Sequence, residues 1–254
     1  MCNSKEDVAV IICAAGLSSR MGGKKKEFAV LEPASAGKKA LSVLGAAAGA
    51  FTLSPRIVRI AITLPPGDKS AENTARSGLP EEFLSGAFKD RLIFTEGGIS
   101  RRASVHNALL QLSESNPALV LIHDGARPWI KPALIESVID AAFRYGAVIP
   151  ALPLVETPKE FSGFPCTNNG TGEAAFIKRH LRRAELCTAQ TPQGFRFPEI
   201  LAAHEQAALR EAQEQHEYTD DAEVWGEFIG QVAVIPGDIE NRKITFPEDL
   251  TRNA

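Results

Sequence analysis

The chain has 254 residues, the length of one α/β domain, and its 44% hydrophobic and 23% charged residues are ordinary for a globular protein. Its 28 lysines and arginines against 31 aspartates and glutamates give a net charge of −3, which argues against a nucleic acid or a membrane surface as partner. With no overall positive charge, any anion site must be local, and no apolar run reaches the length of a transmembrane helix.

The first predicted element is a strand over residues 8–14 that breaks into small residues and then cations. Ala14, Ala15 and Gly16 would let backbone N–H groups approach a phosphate or a base closely. The segment lacks the Gly-Lys-Ser/Thr ending of a P-loop and the G-x-G-x-x-G of a dinucleotide site. It predicts an anion-binding loop, and the alternative is a plain turn before solvated lysines. The cations that would serve an anion are Arg20, Lys24, Lys25 and Lys26.

Strand-length apolar runs alternate with helix-period segments along the rest of the chain. The predicted strands are 8–14, 59–64, 91–94, 118–123, 147–152 and 231–235, and the predicted helices are 39–51, 102–112, 132–143 and 197–216. This alternation predicts an α/β fold with a Rossmann-like, mostly parallel sheet that is covered by helices on both faces. Ligand sites in such sheets lie at the carboxyl ends of the strands.

Two predicted loops after strands carry candidate ligand contacts. Gly98 and Ser104 stand between a strand and a helix, a position suited to contacting a base or a ribose. Asp124 follows the strand 118–123 and is a candidate Mg²⁺ ligand, because Mg²⁺ binds through one or two carboxylates plus substrate phosphates. The alternative for Asp124 is an ion pair with Arg127 that merely caps the turn.

The segment 153–190 interrupts the alternation. A Gly-, Pro- and Asn-rich patch over 162–172 separates two extended stretches, and a basic run follows over 178–183. We expect a projecting β-hairpin arm that pairs with a partner subunit, and the alternative is a disordered insertion.

Polar motifs continue into the last third of the chain. Residues 191–193 predict a fixed turn before the helix that begins near Pro198. Thr219 opens a Thr-Asp-Asp motif that predicts a helix N-cap and, at the same helix end, a contact to a polar substrate group. Glu240 is a candidate second metal carboxylate and Lys243 a candidate phosphate contact, the alternative being a charged turn.

The cysteines and the N-terminus predict a cytoplasmic location. The residues before the first strand leave no room for a signal peptide. The four cysteines are widely spaced and form no C-x-x-C pair, which argues against a zinc site and suits a reducing compartment.

Six short motifs follow one another along nearly the whole chain. They are A-A-G-L-S-S-R-M (14–21), H-D-G-A-R-P (123–128), T-x-K (157–159), A-Q-T-P-Q (189–193), T-D-D-A (219–222) and N-x-K followed by P-E-D-L (241–250). The first motif alone would indicate only the wider nucleotidyltransferase superfamily. With all six in this order, the chain resembles the 2-C-methyl-D-erythritol 4-phosphate cytidylyltransferases.

The resemblance implies a single nucleotidyltransferase domain over residues 1–254 with the arm at about 153–190. Such an enzyme joins CTP and a polyol phosphate with the help of Mg²⁺ and releases pyrophosphate. It also implies a homodimer, because the family's arm carries Thr157 and Arg183 into the neighbouring subunit.

By resemblance, Arg20 and Lys26 stabilise the α-phosphate and the leaving pyrophosphate. Asp124 and Glu240 are the implied metal ligands. Arg183 and Lys243, which would hold the attacking phosphate, are implied catalytic residues together with Arg20 and Lys26. The implied nucleotide contacts are Ala14, Ala15, Gly16, Gly98 and Ser104, and the implied substrate contacts are Thr157, Arg127 and Thr219.

The chain departs from the family pattern at a few positions. Lys25 stands where the family has a proline, so the catalytic lysine is one of Lys24, Lys25 and Lys26. Pro158 follows Thr157, where it fixes φ and removes a donor.

The alternatives to methylerythritol phosphate transfer are a ribitol 5-phosphate cytidylyltransferase, a sugar-1-phosphate nucleotidyltransferase, and a non-catalytic nucleotide-binding protein on the same fold.

Overall fold

The computed structural model describes residues 6–16, 25–33, 39–86, 88–162, 174–214 and 216–250. Its strands are β1 (Val8–Cys13), β2 (Val30–Glu32), β3 (Leu41–Ser42), β4 (Ile57–Leu64), β5 (Leu92–Glu96), β6 (Leu119–Asp124), β7 (Ala147–Pro153), β8 (Lys159–Phe161), β9 (Ile177–His180), β10 (Cys187–Ala189), β11 (Gln193–Arg196) and β12 (Ala233–Pro236). Its helices are α1 (Val43–Phe51), α2 (Ala71–Ser77), α3 (Arg101–Leu112), α4 (Pro132–Tyr145), α5 (Phe197–Glu214) and α6 (Asp221–Phe228).

An eight-stranded sheet forms the centre of the molecule. Its order is β10-β7-β11-β6-β1-β4-β5, and β12 pairs with β7. Four adjacent strands, β6, β1, β4 and β5, run parallel to one another, and β12 runs parallel to β7. The predicted α/β fold with a mostly parallel sheet is therefore confirmed.

Alternate residues of β1 contribute to two cores, because successive side chains of a strand point to opposite faces. Val10 and Ile12 belong to the core that contains Leu44 of α1 and Ile135 of α4. Ile11 belongs to the core that contains side chains of α3 and α5. Helices therefore cover both faces of the sheet, as predicted.

Local signals in the sequence fix the ends of two helices. Pro132 stands in the first turn of α4, where its missing N–H costs nothing, and Gly146 ends the helix with a φ of 87°. The predicted start of α1 was four residues too early, because Ser42 caps that helix by accepting the N–H of Gly45 at 3.0 Å.

Strand β11 corrects the sequence analysis, which predicted only a turn at 191–193. Four residues, Gln193–Arg196, form an antiparallel strand between β6 and β7 in the middle of the sheet. The glycine in this strand weakens its strand signal. A Cβ on Gly194 would stand 2.9 Å from Cγ1 of Val138, which is too close, so glycine lets α4 pack this tightly onto the sheet.

The predicted arm is a separate antiparallel hairpin of β8 and β9. Every residue of β9 is exposed. Most of the predicted tip, from residue 163 to residue 172, lies outside the described residues. Within the described ranges, no helix has the length and apolar composition needed to cross a membrane.

Candidate active site

A cleft of about 580 Å³ opens at the carboxyl ends of three neighbouring strands. Cys13 of β1, Thr63 of β4 and Asp124 of β6 line it at these strand ends. The start of α3 and the segment after β12 also contribute. The site therefore lies where the sheet topology predicted it.

The loop after β1 reaches the cleft through Ala15 and Gly16. Ala14 is 1% exposed, and its N–H is donated to the main-chain and side-chain oxygens of Thr63 at 3.1 and 3.2 Å. Ala14 therefore lies beneath the cleft and has no free N–H to offer a ligand. The predicted catalytic Arg20 lies outside the described residues, as does Lys24.

The two described lysines of this segment have different surroundings. Lys26 begins a short 3₁₀ turn, is 9% exposed and lines the cleft. The Nζ of Lys25 instead donates to the carbonyl of Gly16 at 2.6 Å, at the surface. Of these two lysines, Lys26 is the one whose position suits a contact to bound phosphate.

The predicted nucleotide contacts Gly98 and Ser104 lie together at the start of α3 and line the cleft. The Oγ of Ser104 accepts the N–H of Gly98 at 3.0 Å and donates to the carbonyl of Ser100 at 2.8 Å. A Cβ on Gly98 would stand 2.5 Å from the Cβ of Ala103. Only glycine therefore allows the loop to approach the helix this closely.

Asp124 carries a negative charge among three cations. The Nζ of Lys243 lies 2.9 Å and the Nε of Arg127 3.4 Å from its Oδ2, and the Nε of Arg101 lies 4.0 Å from its Oδ1. Burial alone would raise the pKa of Asp124, but the three cations outweigh it and hold that pKa far below its usual value. The carboxylate is therefore ionised at neutral pH.

A buried group that the sequence analysis missed adjoins this cluster. Arg101, which lines the cleft, places its Nη1 2.7 Å from Oδ2 of Asp221, and Nε2 of His204 lies 3.2 Å from Oδ1 of the same carboxylate. Asp221 and His204 are almost fully buried. Burial would raise the pKa of Asp221, but Arg101 and His204 lower it overall. The sequence indicates Asp221 only as part of a helix-capping motif. The apolar periodicity of α3 and α5 predicts which faces pack against the sheet, but it does not predict a buried ion pair between the helices.

Thr191 hydrogen-bonds to the main chain of Asp124, and His123 contacts the hydroxyl of Thr191. The Oγ1 of Thr191 accepts the N–H of Asp124 at 3.0 Å and lies 3.1 Å from Nδ1 of His123. The hydroxyl proton is then available to Nδ1, which assigns the ring proton to Nε2, 3.2 Å from the carbonyl of Arg127. Burial lowers the pKa of His123 to about 4, so this ring is neutral at pH 7.

The segment that carries Lys243 is tied to the same turn. The Nδ2 of Asn241 donates to the carbonyl of Thr191 at 2.8 Å. The Nη1 of Arg127 donates to the carbonyl of Asn241 at 2.7 Å. These two hydrogen bonds hold Lys243 next to Asp124, so Arg127 acts on the site by positioning it, and Arg127 is not among the described residues that line the cleft.

Four further predicted site residues are likewise absent from the described lining of the cleft. The carboxylate of Glu240 contacts Lys131 at 2.5 Å. The N–H and hydroxyl of Thr219 both donate to Glu223 at 2.8 Å, and the capping residue of α6 is Asp220. Thr157 is exposed on the arm. Arg183, also exposed, donates from Nη1 to the carbonyl of Val155 at 2.6 Å.

The residues present fit a Mg²⁺ ion that has a single protein ligand. Among the described residues, the close cation contacts of Asp124 are to Oδ2, and Arg101 approaches Oδ1 only to 4.0 Å. No cluster of three acidic, His or Cys side chains that could hold a metal is present among the described residues. Mg²⁺ commonly takes one or two carboxylates and completes its shell with phosphates and water, so Asp124 suffices.

Residues 8–254 match the family model of IspD, 2-C-methyl-D-erythritol 4-phosphate cytidylyltransferase. The chain belongs to this family. It is 36% identical over 248 residues to the 2-C-methyl-D-erythritol 4-phosphate cytidylyltransferase of Pelotomaculum thermopropionicum, a similarity that covers 97% of the chain and 92% of that protein.

Similarity to other IspD family members differs in extent. The chain is 37% identical over 251 residues to the bifunctional enzyme IspD/IspF of Bradyrhizobium sp. (strain ORS 278), which covers 98% of the chain and 56% of that protein. The chain thus spans little more than half the length of this relative. The crystal structure of the Thermus thermophilus cytidylyltransferase superposes with a TM-score of 0.65 at 26% identity, covering 95% of each chain. The Francisella tularensis structure gives 0.73 at 24% identity over 97% of each chain and supports the fold.

Proposed function

We propose that the protein transfers the cytidylyl group of CTP to 2-C-methyl-D-erythritol 4-phosphate, giving 4-diphosphocytidyl-2-C-methyl-D-erythritol and pyrophosphate. The observation that carries the proposal is that Lys26, Arg101 and Lys243 line one cleft beside the ionised Asp124. A polyphosphate needs several cations, and a metal-bound one also needs a carboxylate. Membership of the family supports the identity of the two substrates.

The proposed reaction is a direct displacement. An anionic oxygen of the acceptor phosphate attacks the α-phosphorus of CTP in line, the bond from that phosphorus to the bridging oxygen of the β-phosphate breaks, and pyrophosphate leaves. The attacking oxygen carries no proton, so no general base is required. The residues therefore act by positioning the reactants and by neutralising charge.

Each cation has its own task in this proposal. Lys26 and Arg20 neutralise the charge that builds on the α-phosphate and on the leaving pyrophosphate. Lys243 holds the attacking phosphate, and the ion pair with Asp124 orients its ammonium group. The cytidine would rest against Gly98 and Ser104 on one side and Ala15 and Gly16 on the other, since all four line the cleft.

Asp124 is the residue we propose as the Mg²⁺ ligand. When bound, the ion would supply positive charge to the triphosphate and help to orient it. The ion pair of Glu240 with Lys131 argues against Glu240 as a second protein ligand.

The cysteine in the cleft has no covalent role in this proposal. Burial raises the pKa of Cys13 to about 12, so its thiol stays protonated and is a poor nucleophile. The free thiols of Cys13 and Cys187 accord with the proposed cytoplasmic location.

We further propose that the active form is a homodimer in which the arm completes the partner's cleft. The arm stands apart from the main sheet and exposes Val155, Phe176 and Ile177. Arg183 and Thr157 lie on the arm, away from the described lining of their own cleft. Exposed apolar surface on a projecting element is typical of an interface.

Mixing two impaired variants, assayed at an acceptor concentration far below its KM, tests this exchange of arms. Lys26→Ala impairs a cleft and Arg183→Ala impairs an arm. After subunit exchange, a mixed dimer would hold one intact site, and about a quarter of the wild-type rate per subunit should return. No recovery, with mixed dimers demonstrated by native mass spectrometry, would mean that each arm serves its own cleft or none.

The transfer itself is tested by pyrophosphate release with Mg²⁺, CTP and methylerythritol 4-phosphate. Release should require the acceptor, and ³¹P NMR should show a new diphosphate diester in equal amount. CTP binding without release would leave a nucleotide-binding protein, and release without an acceptor would indicate hydrolysis of CTP.

A further inference from the structure

The two carboxylate oxygens of Asp124 have different surroundings. Oδ2 receives the ammonium of Lys243 at 2.9 Å and the Nε of Arg127 at 3.4 Å. Among the described residues, Arg101 approaches Oδ1, but its Nε stays at 4.0 Å, which is beyond a hydrogen bond. The close contacts of Lys243 and Arg127 are thus to one oxygen, and Arg101 makes no close contact to the other.

The distance between Arg101 and Asp124 needs an explanation, because an arginine next to a carboxylate normally forms a close, two-point contact. Arg101 begins α3, and its guanidinium is drawn in another direction by Asp221, whose Oδ2 lies 2.7 Å from Nη1. The shorter contact decides where the guanidinium rests.

His204 lies on the other side of Asp221. His204 of α5 places Nε2 3.2 Å from Oδ1 of Asp221, and both side chains are at most 1% exposed. The His204 ring stacks against His106 of α3, with centroids 6.3 Å apart. Asp221 thus has one oxygen facing Arg101 and the other facing His204, in a site closed to solvent.

We propose that Asp221, braced by His204, is a positioning residue that draws Arg101 away from Asp124 and so keeps Oδ1 open for the divalent cation that accompanies CTP. This inference rests on the proposed function, since it concerns the metal–nucleotide complex in the same cleft. Loss of the Asp221 charge would release Arg101 to pair with Asp124, and the metal ion would then compete with an arginine.

The test measures binding and not turnover. Isothermal titration gives the Kd of CTP once with Mg²⁺ and once with EDTA. The Kd with EDTA divided by the Kd with Mg²⁺ is the gain in affinity due to the metal. Couplings between two ligands are typically about 5- to 150-fold, so we expect a ratio in that range for the wild type and a ratio at least fivefold smaller for Asp221→Asn. The double variant Asp221→Asn/Arg101→Gln should regain the ratio, because no arginine remains to cover Oδ1.

A neighbouring ion pair provides the matched control. Arg102 donates from Nε to Glu211 at 2.6 Å between the same helices, α3 and α5, and neither residue is in the described lining of the cleft. Glu211→Gln should keep the wild-type ratio. Arg101→Gln alone removes a cleft cation and should weaken CTP binding equally with Mg²⁺ and with EDTA, so it should keep the ratio as well. This variant gives a second reading if Asp221→Asn fails to fold, as judged by near-UV circular dichroism.

The outcomes separate this inference from the proposed function. An unchanged ratio in folded Asp221→Asn, no recovery in the double variant, or no metal-dependent gain in the wild type would each overturn the role of Asp221. If Asp221→Asn does not fold, a reduced ratio in Arg101→Gln would overturn it. Failure of the proposed function would show instead in the transfer assay, as an absence of pyrophosphate with the acceptor.

Discussion

The ammonium of Lys243 lies 2.9 Å from Oδ2 of Asp124, although Asp124 ends a central strand and Lys243 belongs to the segment after the last strand. Asn241 and Ile244, on either side of this lysine, hydrogen-bond to Thr191 and Ala126 and hold the segment against the sheet edge. The contact joins the proposed metal ligand to the proposed holder of the attacking phosphate. Changes that move one of these residues should therefore affect the other.

Replacing Lys26 by alanine should lower kcat about 10²- to 10³-fold and weaken CTP binding far less, because its charge matters most when charge builds in the transition state. Lys25→Ala is the matched comparison, since Lys25 contacts the carbonyl of Gly16 at the surface. Steady-state kinetics and CTP titration separate the two effects. A larger kcat loss for Lys25→Ala would move the catalytic role to that residue.

Thr191→Val should destabilise the protein and lower kcat together. The valine would leave the N–H of Asp124 and Nδ1 of His123 without their partner, and a buried unsatisfied group costs about 1–3 kcal/mol. Urea unfolding measures the free energy of unfolding. Thr188→Val, at an exposed position, should change it little, and equal losses for the two variants would contradict the role assigned to Thr191.

The stability of the protein should fall as the pH drops from about 6.5 towards 4 because of His123. The pKa of His123 is near 6.5 in the unfolded chain and about 4 when folded, so in this window the unfolded state binds the proton and the folded state does not. His123 alone then accounts for a loss of about 2 kcal/mol between pH 7.5 and pH 5. Urea unfolding of His123→Asn should show a shallower pH dependence. Parallel curves for variant and wild type would show that His123 titrates normally.

Arg183→Ala should raise the KM for the acceptor phosphate about tenfold or more, because a hydrogen bond to a charged group contributes about 1.5–3 kcal/mol. The KM for CTP and the sedimentation coefficient should not change. Arg182→Ala, which removes an exposed arginine paired with Glu185, is the control. A rise confined to the KM for CTP would show that Arg183 contacts the nucleotide instead.

Much of the fold could be predicted from local pattern. The strands β1, β4 and β6 are rich in apolar residues, as strands buried on both faces are, and Pro132 and the glycine at 146 mark the ends of α4. Strand β11 escaped prediction because its four residues gain their stability from tertiary partners, as Gly194 does against α4. Of α6 only the N-cap was predicted, from the Thr-Asp-Asp motif, and the capping residue is Asp220. Short elements carry too few residues for a periodic signal.

The residues of the candidate site also fall into two groups, those that local sequence patterns predict and those that depend on tertiary packing. Asp124, Lys243, Gly98 and Ser104 follow strand ends or stand in recognisable motifs, and all four line the cleft. Arg101, Asp221 and His204 come from three different helices, and their contacts depend on how those helices pack. A single sequence has no local signal for such a contact.

The most direct test of the proposed function is a competition in which one enzyme sample receives Mg²⁺, CTP and equal amounts of methylerythritol 4-phosphate and ribitol 5-phosphate. Mass spectrometry of the early products gives the ratio of the two kcat/KM values. We predict that the cytidine diphosphate ester of methylerythritol predominates by more than tenfold. Predominance of the ribitol ester, or formation of neither ester while CTP is bound, would contradict the proposed function.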